Sequence, residues 1–503
     1  MSRCLVCVSV AAPSLETLQG CLVGLGEVDM AEVRLDALTD PTGLGVADLA
    51  ALVSCSPVPL LMTCRPDWEG GGFSGPEPER RELMVRALAA GARFIDLEID
   101  ATWATDLVGR WRDRVVLSHH WDCVLPPELD VVVDALIRLR PAVAKLVARA
   151  ELPHQAVPLL AAANRLRDAG IGAACFCMGE AGRSSRMLAA ARGDRITYAT
   201  GATGYATAPG QWPLGVLRRD LLASRWKPGD AIYGVAGDPI DQSLSPLVFN
   251  SAFAASNTDA LYLPLPGGPF ESVLELARQA GVRGLSVTMP YKQDALHACR
   301  GVSRLARRIG AVNTLVWSQG GWQGHNTDGP AVAQVLAEHV QLEAARCAIL
   351  GAGGAARAAV VALADRGASV TVLNRTVARA QALADELGCG AGPLEALGAE
   401  RFDVLVNATP VGMDRTVRTP VSTVWLRGDE IVLDMVYRPP QTEFLRQARE
   451  RGCRTVSGLE MFLRQAALQY ELWTGLHVPA EVMRTAAESR LAESGSTVQE
   501  SCE

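Results

Sequence analysis

Eight short apolar runs alternate with amphipathic stretches across the first ~220 residues, and this alternation limits the fold more than any other feature. The runs are CLVCVSV, MAEVRLD, LLMTCR, RFIDLEI, RVVLSHH, AVAKLVA, GAACFCM and RITYATG. Each is strand-length, and most are followed by a helix-like segment. Eight parallel strands with intervening helices predict a (β/α)8 barrel over residues 1–222. Polar and charged residues gather at the C-terminal ends of the runs, where barrels of this kind build their sites.

The chain has 503 residues, too many for one ordinary core. SRWKPGD reads as a linker, assigned to 223–230. A new strand, AIYGVAGDP, then opens an α/β segment over 231–335, to which helices at 459–490 return. From Arg346, CAILGAGGAARAAVVALADRGASVTVLNRT reads as a dinucleotide-type unit, with DVLVNATP and EIVLDMVY in the same sheet. This Rossmann-type unit is assigned to 336–458, and 491–503 is expected to be a polar, frayed tail. The fold class is α/β throughout.

The net charge of −7 argues against nucleic acid or an anionic membrane as the main partner. No apolar run approaches the ~20 residues of a membrane span, and the N-terminus reads as a first strand, not a signal peptide. The thirteen cysteines lie mostly inside apolar runs, without the spacing of a zinc site. They read as small buried hydrophobes in a reducing cytoplasm, with no metal expected.

Positive charge is carried almost wholly by arginine, with lysine only at 145, 227 and 292. Lysine can give up its proton and arginine cannot. Lys145 and Lys292 sit in strand-end contexts, whereas Lys227 looks like part of an exposed linker. Glu32, Arg34 and Asp36 alternate on one run, so they face one way. Thr63, Arg65 and Glu69 end the third run, His119 and His120 the fifth, and Met178 and Arg186 follow the seventh. Arg34, Arg65 and Arg186 are expected to form a cationic pocket for a carboxylate with several hydroxyls, and to lower the pKa of Lys145. A neutral lysine attacks a carbonyl to form a Schiff base, which acidifies the adjacent carbon. A histidine can then move that proton, with Glu69 orienting it. This fits loss of water from a hydroxy-ketone acid. The residues alone do not choose between His119 and His120, which face opposite ways.

In the second half, Gly351, Ala352, Gly353, Gly354 and Ala355 follow a strand and open a helix, the context of a pyrophosphate-binding turn. The next strand ends in Asn374, Arg375 and Thr376. An NAD site would carry an acid there; Arg375 suits a 2′-phosphate, so NADP(H) is the expected cofactor. Ser243 and Ser245 are placed to donate to one carboxylate, and Lys292 with Asp328 can serve as proton donor to a ketone.

The first 220 residues resemble the type I 3-dehydroquinate dehydratases. The match is carried by Glu32-x-Arg34-x-Asp36, Thr63-x-Arg65-x-x-x-Glu69-Gly-Gly, Ser118-His119-His120, Lys145, Met178-x-x-x-Gly182-x-x-x-Arg186 and Ala208-Pro209-Gly210-Gln211. The resemblance implies Lys145 as the Schiff-base lysine and His120 as general acid/base. It implies substrate contacts at Glu32, Arg34, Arg65, Met178, Arg186, Thr207 and Gln211, with Ser9 a weaker match. Residues 231–480 resemble the shikimate dehydrogenases through Ser243-Leu-Ser245-Pro, Val287-Thr288-Met-Pro-Tyr-Lys292, Gly310-Ala-Val-Asn313-Thr, Asn326-Thr-Asp328-Gly, Asn407-Ala-Thr-Pro-Val-Gly-Met, Asp434-Met-Val-Tyr437 and Gln465-Ala-Ala. This second resemblance implies catalysis by Lys292 with Asp328. It also implies shikimate contacts at Ser243, Ser245, Thr288, Asn313, Tyr437 and Gln465, and cofactor contacts that include Met435 and Gly458. Ser286 replaces the more usual Asn.

Together the halves imply consecutive steps: 3-dehydroquinate to 3-dehydroshikimate, then reduction to shikimate. A catabolic oxidation of quinate or shikimate, or a non-catalytic metabolite sensor, are the alternatives. Oligomeric state is not legible in the sequence.

Overall fold

A computed structural model describes residues 3–124, 126–201, 209–413 and 418–496. The chain forms two compact units: Met1–Gly234 with Asp238–Asp241 and Asp259–Val282, and Val235–Gly237 with Gln242–Thr258 and Arg283–Glu503.

All eight expected strands of the first unit are present: β1 (Leu5–Val10), β2 (Met30–Arg34), β3 (Leu60–Thr63), β4 (Phe94–Glu98), β5 (Val115–His120), β6 (Val143–Arg149), β7 (Gly172–Met178) and β8 (Ile196–Thr200). They pair in parallel in the order β7-β6-β5-β4-β3-β2-β1-β8. The ring closes where Arg195 N donates to Ala173 O at 2.6 Å and Cys175 N donates to the Asp194 carboxylate at 2.7 Å. Arg167 pairs with that same carboxylate, whose pKa burial pushes up to about 7.

Because alternate strand residues face inward, one set fills the barrel. Its floor is apolar: Cys7, Met30, Leu61, Phe94, Val116, Val143, Ala174 and Ile196 cluster there. Two residues further along β1 to β6 the inward set turns polar, with Ser9, Glu32, Thr63, Asp96, Ser118 and Lys145. The switch places charge above a dry floor at the C-terminal mouth.

The linker region is less exposed than its sequence suggests. Trp226 is buried and its indole donates to Leu221 O at 2.9 Å. Lys227 is exposed and pairs with Asp259 at 3.2 Å.

In the second unit, six parallel strands run in the order Gly390–Gly392, Ser369–Leu373, Arg346–Leu350, Val404–Asn407, Ile431–Asp434, Arg454–Val456. Numbered along the chain this is 3-2-1-4-5-6, the doubly wound order, with its switch point between Leu350 and Asn407, which face each other. Alongside lie Val282–Val287 and the antiparallel pair Thr314–Ser318 and Gly321–His325. Helix Gly458–Thr474 returns to this region: Trp473 Nε1 donates to Leu315 O at 3.1 Å. The final helix, Ala480–Ser496, packs on Ser245–Ala255 and buries Leu491. Residues 491–496 of the expected polar tail thus belong to this helix, and the rest of that expectation lies outside the described residues.

Candidate functional site

Lys145 lies inside the barrel, 5% exposed. Its Nζ is 2.9 Å from Asp96 Oδ2, 3.6 Å from Glu32 Oε1 and 4.7 Å from the centre of the Tyr198 ring. Glu32 is held by Ser9 Oγ (2.5 Å) and Thr63 Oγ1 (2.9 Å). Burial opposes ionisation of Glu32 and Asp96, but Lys145 and Arg34 keep Glu32 below its usual range, and Arg65 and Lys145 keep Asp96 at about 2.

Two of the three arginines expected to make a cationic pocket carry acid partners of their own. Arg34 forms a two-pronged pair with Asp36, at 2.9 and 2.7 Å. Arg65 lies within 3.1 Å of Glu69, 2.9 Å of Asp96 and 2.6 Å of Glu98, and donates to Ser118. The nearest ionic neighbours of Lys145 are thus carboxylates, not arginines. The reason is strand alternation: β4 contributes Asp96 and Glu98 to the same interior face that receives Arg65. The D-x-E pattern in RFIDLEI was the available signal for these two acids. Arg80, fully buried, pairs with Glu98 from outside the ring and completes the charge balance.

Arg186 is the exception. It is 2% exposed, stacks over Phe176 at 4.2 Å, donates to Pro209 O at 3.5 Å and makes no ion pair among the described residues. Burial pulls its pKa down to about 10. A buried guanidinium without an acid is costly unless an anion joins it. Met178 and Gln211 lie half-buried near the same mouth. Thr207 lies outside the described residues.

His120 Nδ1 is 2.8 Å from Glu69 Oε2, whereas His119 Nδ1 is 2.9 Å from Asp100 Oδ2. Geometry therefore separates the two histidines. Burial, with Arg65, Lys145 and Arg34 adding to it, holds His120 well below its ordinary pKa. Burial also lifts Glu69, against Arg65 but helped by Glu98 and Asp96, to about 8. Glu69, Asp100 and His119 bring one ligand-type atom each within 4.8 Å of one another. The close approach of His119 to Asp100 accounts for most of that grouping, and burial holds His119 below its ordinary pKa.

In the second unit, Lys292 Nζ donates to Asp328 Oδ2 at 2.6 Å, and Asn313 Nδ2 donates to Asp328 Oδ1 at 2.8 Å. Gln465 Oε1 is 3.5 Å from Asn313 Nδ2. Ser243 hydrogen-bonds the half-buried Tyr437 side chain, whose pKa desolvation raises, and Ser245 N donates to Ser243 Oγ. Thr288 N donates to Ala236 O at 3.0 Å, which fixes the turn leading to Lys292.

The glycine turn lies at the sheet's switch point. Gly351 has φ +106°, and a Cβ there would meet Thr409 and Ala408. Gly353 caps helix Gly354–Ala364, and a Cβ on it would meet nothing within 4 Å. Open space before a helix N-terminus suits a pyrophosphate. A Cβ on Gly354 would press on Lys292 at 3.3 Å, so close backbone approach joins the turn to the lysine. Arg375 is exposed just beyond Ser369–Leu373, where Asn374 Nδ2 donates to Thr376 O at 2.9 Å. Met435 is half-buried beside Asp434, and Gly458 leaves no room for a side chain against Asp434 O and Val436 O. Asn407 and Asp434, read from sequence only as motif positions, form a buried cluster under this site with Thr442: Asp434 accepts from Asn407 Nδ2 (2.8 Å) and Thr442 Oγ1 (2.6 Å).

Comparison with known proteins covers both units. Residues 6–225 match the family model for type I 3-dehydroquinase, and 235–315 the shikimate dehydrogenase substrate binding domain. Residues 332–417 match shikimate / quinate 5-dehydrogenase, and 458–488 the shikimate 5′-dehydrogenase C-terminal domain. The chloroplastic bifunctional 3-dehydroquinate dehydratase/shikimate dehydrogenase of Arabidopsis thaliana is 33% identical over 508 residues, covering 95% of this chain and 83% of that protein. The NADP(+) shikimate dehydrogenase of Halorubrum lacusprofundi is 43% identical over 273 residues, 52% of this chain and 99% of that protein. A solved shikimate dehydrogenase in complex with NADP+ is 31% identical with a TM-score of 0.50, covering 53% of this chain and 97% of that one. Another, from Aquifex aeolicus, is 30% identical with a TM-score of 0.50, covering 52% and 98%.

Proposed function

The chain belongs to the family of bifunctional 3-dehydroquinate dehydratase/shikimate dehydrogenases, and from that premise we propose how its residues divide two consecutive reactions of the shikimate pathway. Residues 1–222 form the dehydratase, 231–335 with 459–490 bind shikimate, and 336–458 bind NADP(H).

In the barrel, Arg186 receives the carboxylate of 3-dehydroquinate, a role supported by its burial without an acid partner. Lys145 condenses with the ketone, losing water to form a Schiff base. His120, kept neutral by burial, is the base that takes a proton from the adjacent carbon. The β-hydroxyl then leaves as water after accepting a proton from His120, and hydrolysis of the Schiff base releases 3-dehydroshikimate and restores Lys145. Glu69 orients the imidazole. Ser9, Glu32, Arg34, Arg65, Met178, Thr207 and Gln211 line the substrate's hydroxyls and ring, with Arg34 and Arg65 acting through acids they already hold.

In the second site, Ser243, Ser245, Thr288, Asn313, Tyr437 and Gln465 bind 3-dehydroshikimate. Lys292 donates the proton to the ketone oxygen, and Asp328, 2.6 Å away, aims it. Bound NADPH supplies the hydride. The turn Gly351–Ala355 would hold the pyrophosphate and Asn374, Arg375 and Thr376 the 2′-phosphate end, with Met435 and Gly458 as further cofactor contacts. A metabolite sensor would not need the Lys292–Asp328 pair or a buried lysine in the barrel, and exposed Arg375 favours NADP over NAD and so reduction over catabolism.

No helix among the described residues is long and apolar enough to cross a membrane. The twelve described cysteines are free, which supports a reducing compartment, with the cytoplasm the simplest reading.

The buried Lys145 amine carries this proposal. Borohydride added with 3-dehydroquinate should leave a ligand mass on Lys145 alone; label elsewhere, or none, would refute the assignment.

A further inference from the structure

One turn beyond Gln465 on the same helix, Gln469 is 1% exposed and touches no expected substrate contact through its own amide other than the backbone of Asn313. Its amide orientation is fixed by chemistry. Nε2 lies 3.2 Å from Asn313 O, a carbonyl that can only accept. Oε1 therefore accepts from Ser286 Oγ at 2.6 Å. The second Nε2 proton points at Thr314 Oγ1, at 2.9 Å. That hydroxyl has one proton, which goes to Asn313 Oδ1 at 2.7 Å.

Asn313 Oδ1 is thereby held as an acceptor, a state the Thr327 backbone N–H reinforces at 2.8 Å. Its Nδ2 must then donate, to Thr327 Oγ1 at 2.9 Å and to Asp328 Oδ1 at 2.8 Å. The other Asp328 oxygen is left for Lys292. Ser286, Thr314, Asn313 and Asp328 are each less than 9% exposed, so water does not scramble these directions.

We propose that Gln469 is a positioning residue of the dehydrogenase: it sets the direction of a hydrogen-bond chain, Ser286 to Gln469 to Thr314 to Asn313 to Asp328, that aims Lys292. The proposal rests on Lys292 and Asp328 moving the proton. Lys292→Ala, measured in parallel, tests that assignment separately: if it keeps shikimate oxidation, the assignment falls whatever Gln469 does.

The test compares Gln469→Glu, Thr314→Val and Thr314→Ser in the full chain. Gln469→Glu keeps shape but, once ionised, can only accept. Shikimate-oxidation kcat should fall about tenfold, the scale of one lost buried hydrogen bond. The loss should deepen as pH rises, because only the carboxylate lacks a proton to donate. Thr314→Val should lose a similar factor, Thr314→Ser should restore the parent rate, and KM for NADP+ and the dehydratase rate should not move. The proposal is overturned if Gln469→Glu and Thr314→Val keep the parent kcat at every pH. Equal losses in all three variants, serine included, would also overturn it, since that pattern means packing alone.

Discussion

His120 and Glu69 meet at 2.8 Å inside the barrel mouth, and burial moves their pKa values in opposite directions, His120 well below its ordinary range and Glu69 up to about 8. Around neutrality the pair holds a neutral imidazole and a protonated carboxyl. The base form of His120 therefore survives into mild acid, and kcat/KM of the dehydratase should hold steady until the pH drops below the usual 6.5. Above about 8, Glu69 loses its proton and the pair becomes anionic, so a basic limb should appear there. Glu69→Gln should remove that limb and leave the acid one. Stability follows the same proton. The folded state keeps it while the unfolded carboxyl releases it from about 4.5, so this group's contribution declines as pH rises from 4.5 to 8. A pH–rate profile of parent and variant checks the assignment.

Arg186 is a charge waiting for its counter-ion. Its substitution by Met should raise KM for 3-dehydroquinate on the order of a hundredfold, the scale of a lost charge-assisted pair. The same change should not lower Tm of the ligand-free protein, because the native state no longer buries a cation that has no acid partner among the described residues. Kinetics beside thermal melts separate the two effects. An unchanged KM would remove Arg186 from carboxylate binding.

What the sequence conveyed follows from how these elements are made. Each strand of the first unit is bounded by turns and rich in apolar residues, so all eight were legible. The Gly351–Ala355 turn was legible for the same reason: strand, glycines and helix occur in order. The charges of the barrel were read less well. Arg34 and Arg65 look like anion ligands when taken one strand at a time. Asp36 sits two residues from Arg34 on the same run and could have been read as its partner, whereas only pairing across strands brings Asp96 with Glu98 to Arg65. Gln469 was invisible for a related reason, since its partners lie more than 150 positions away.

Lys145 and Lys292 lie in different compact units, each with its own acid at 2.9 and 2.6 Å. Lys145→Ala should abolish dehydration and leave shikimate oxidation within about twofold of the parent, and Lys292→Ala should do the converse, because sites without shared partners behave additively. Separate assays of each half-reaction on both variants decide it. Loss of both activities in a folded single variant would contradict two independent sites.

Arg375 is exposed, so its value to cofactor binding must come from a phosphate brought to it and not from a preformed pocket. It follows the second strand of the doubly wound sheet, the position that meets the ribose 2′ substituent in dinucleotide-binding folds of this kind. A guanidinium there grips two phosphate oxygens at once, but in water, where salt screens the attraction. Arg375→Ala should lower kcat/KM for NADP+ by about 10- to 100-fold and leave the weaker NAD+ reaction nearly unchanged. The gap between parent and variant should narrow as ionic strength rises, because only the parent has a charge to screen. Equal losses with both cofactors would instead mean that Arg375 shapes the turn rather than reading the phosphate.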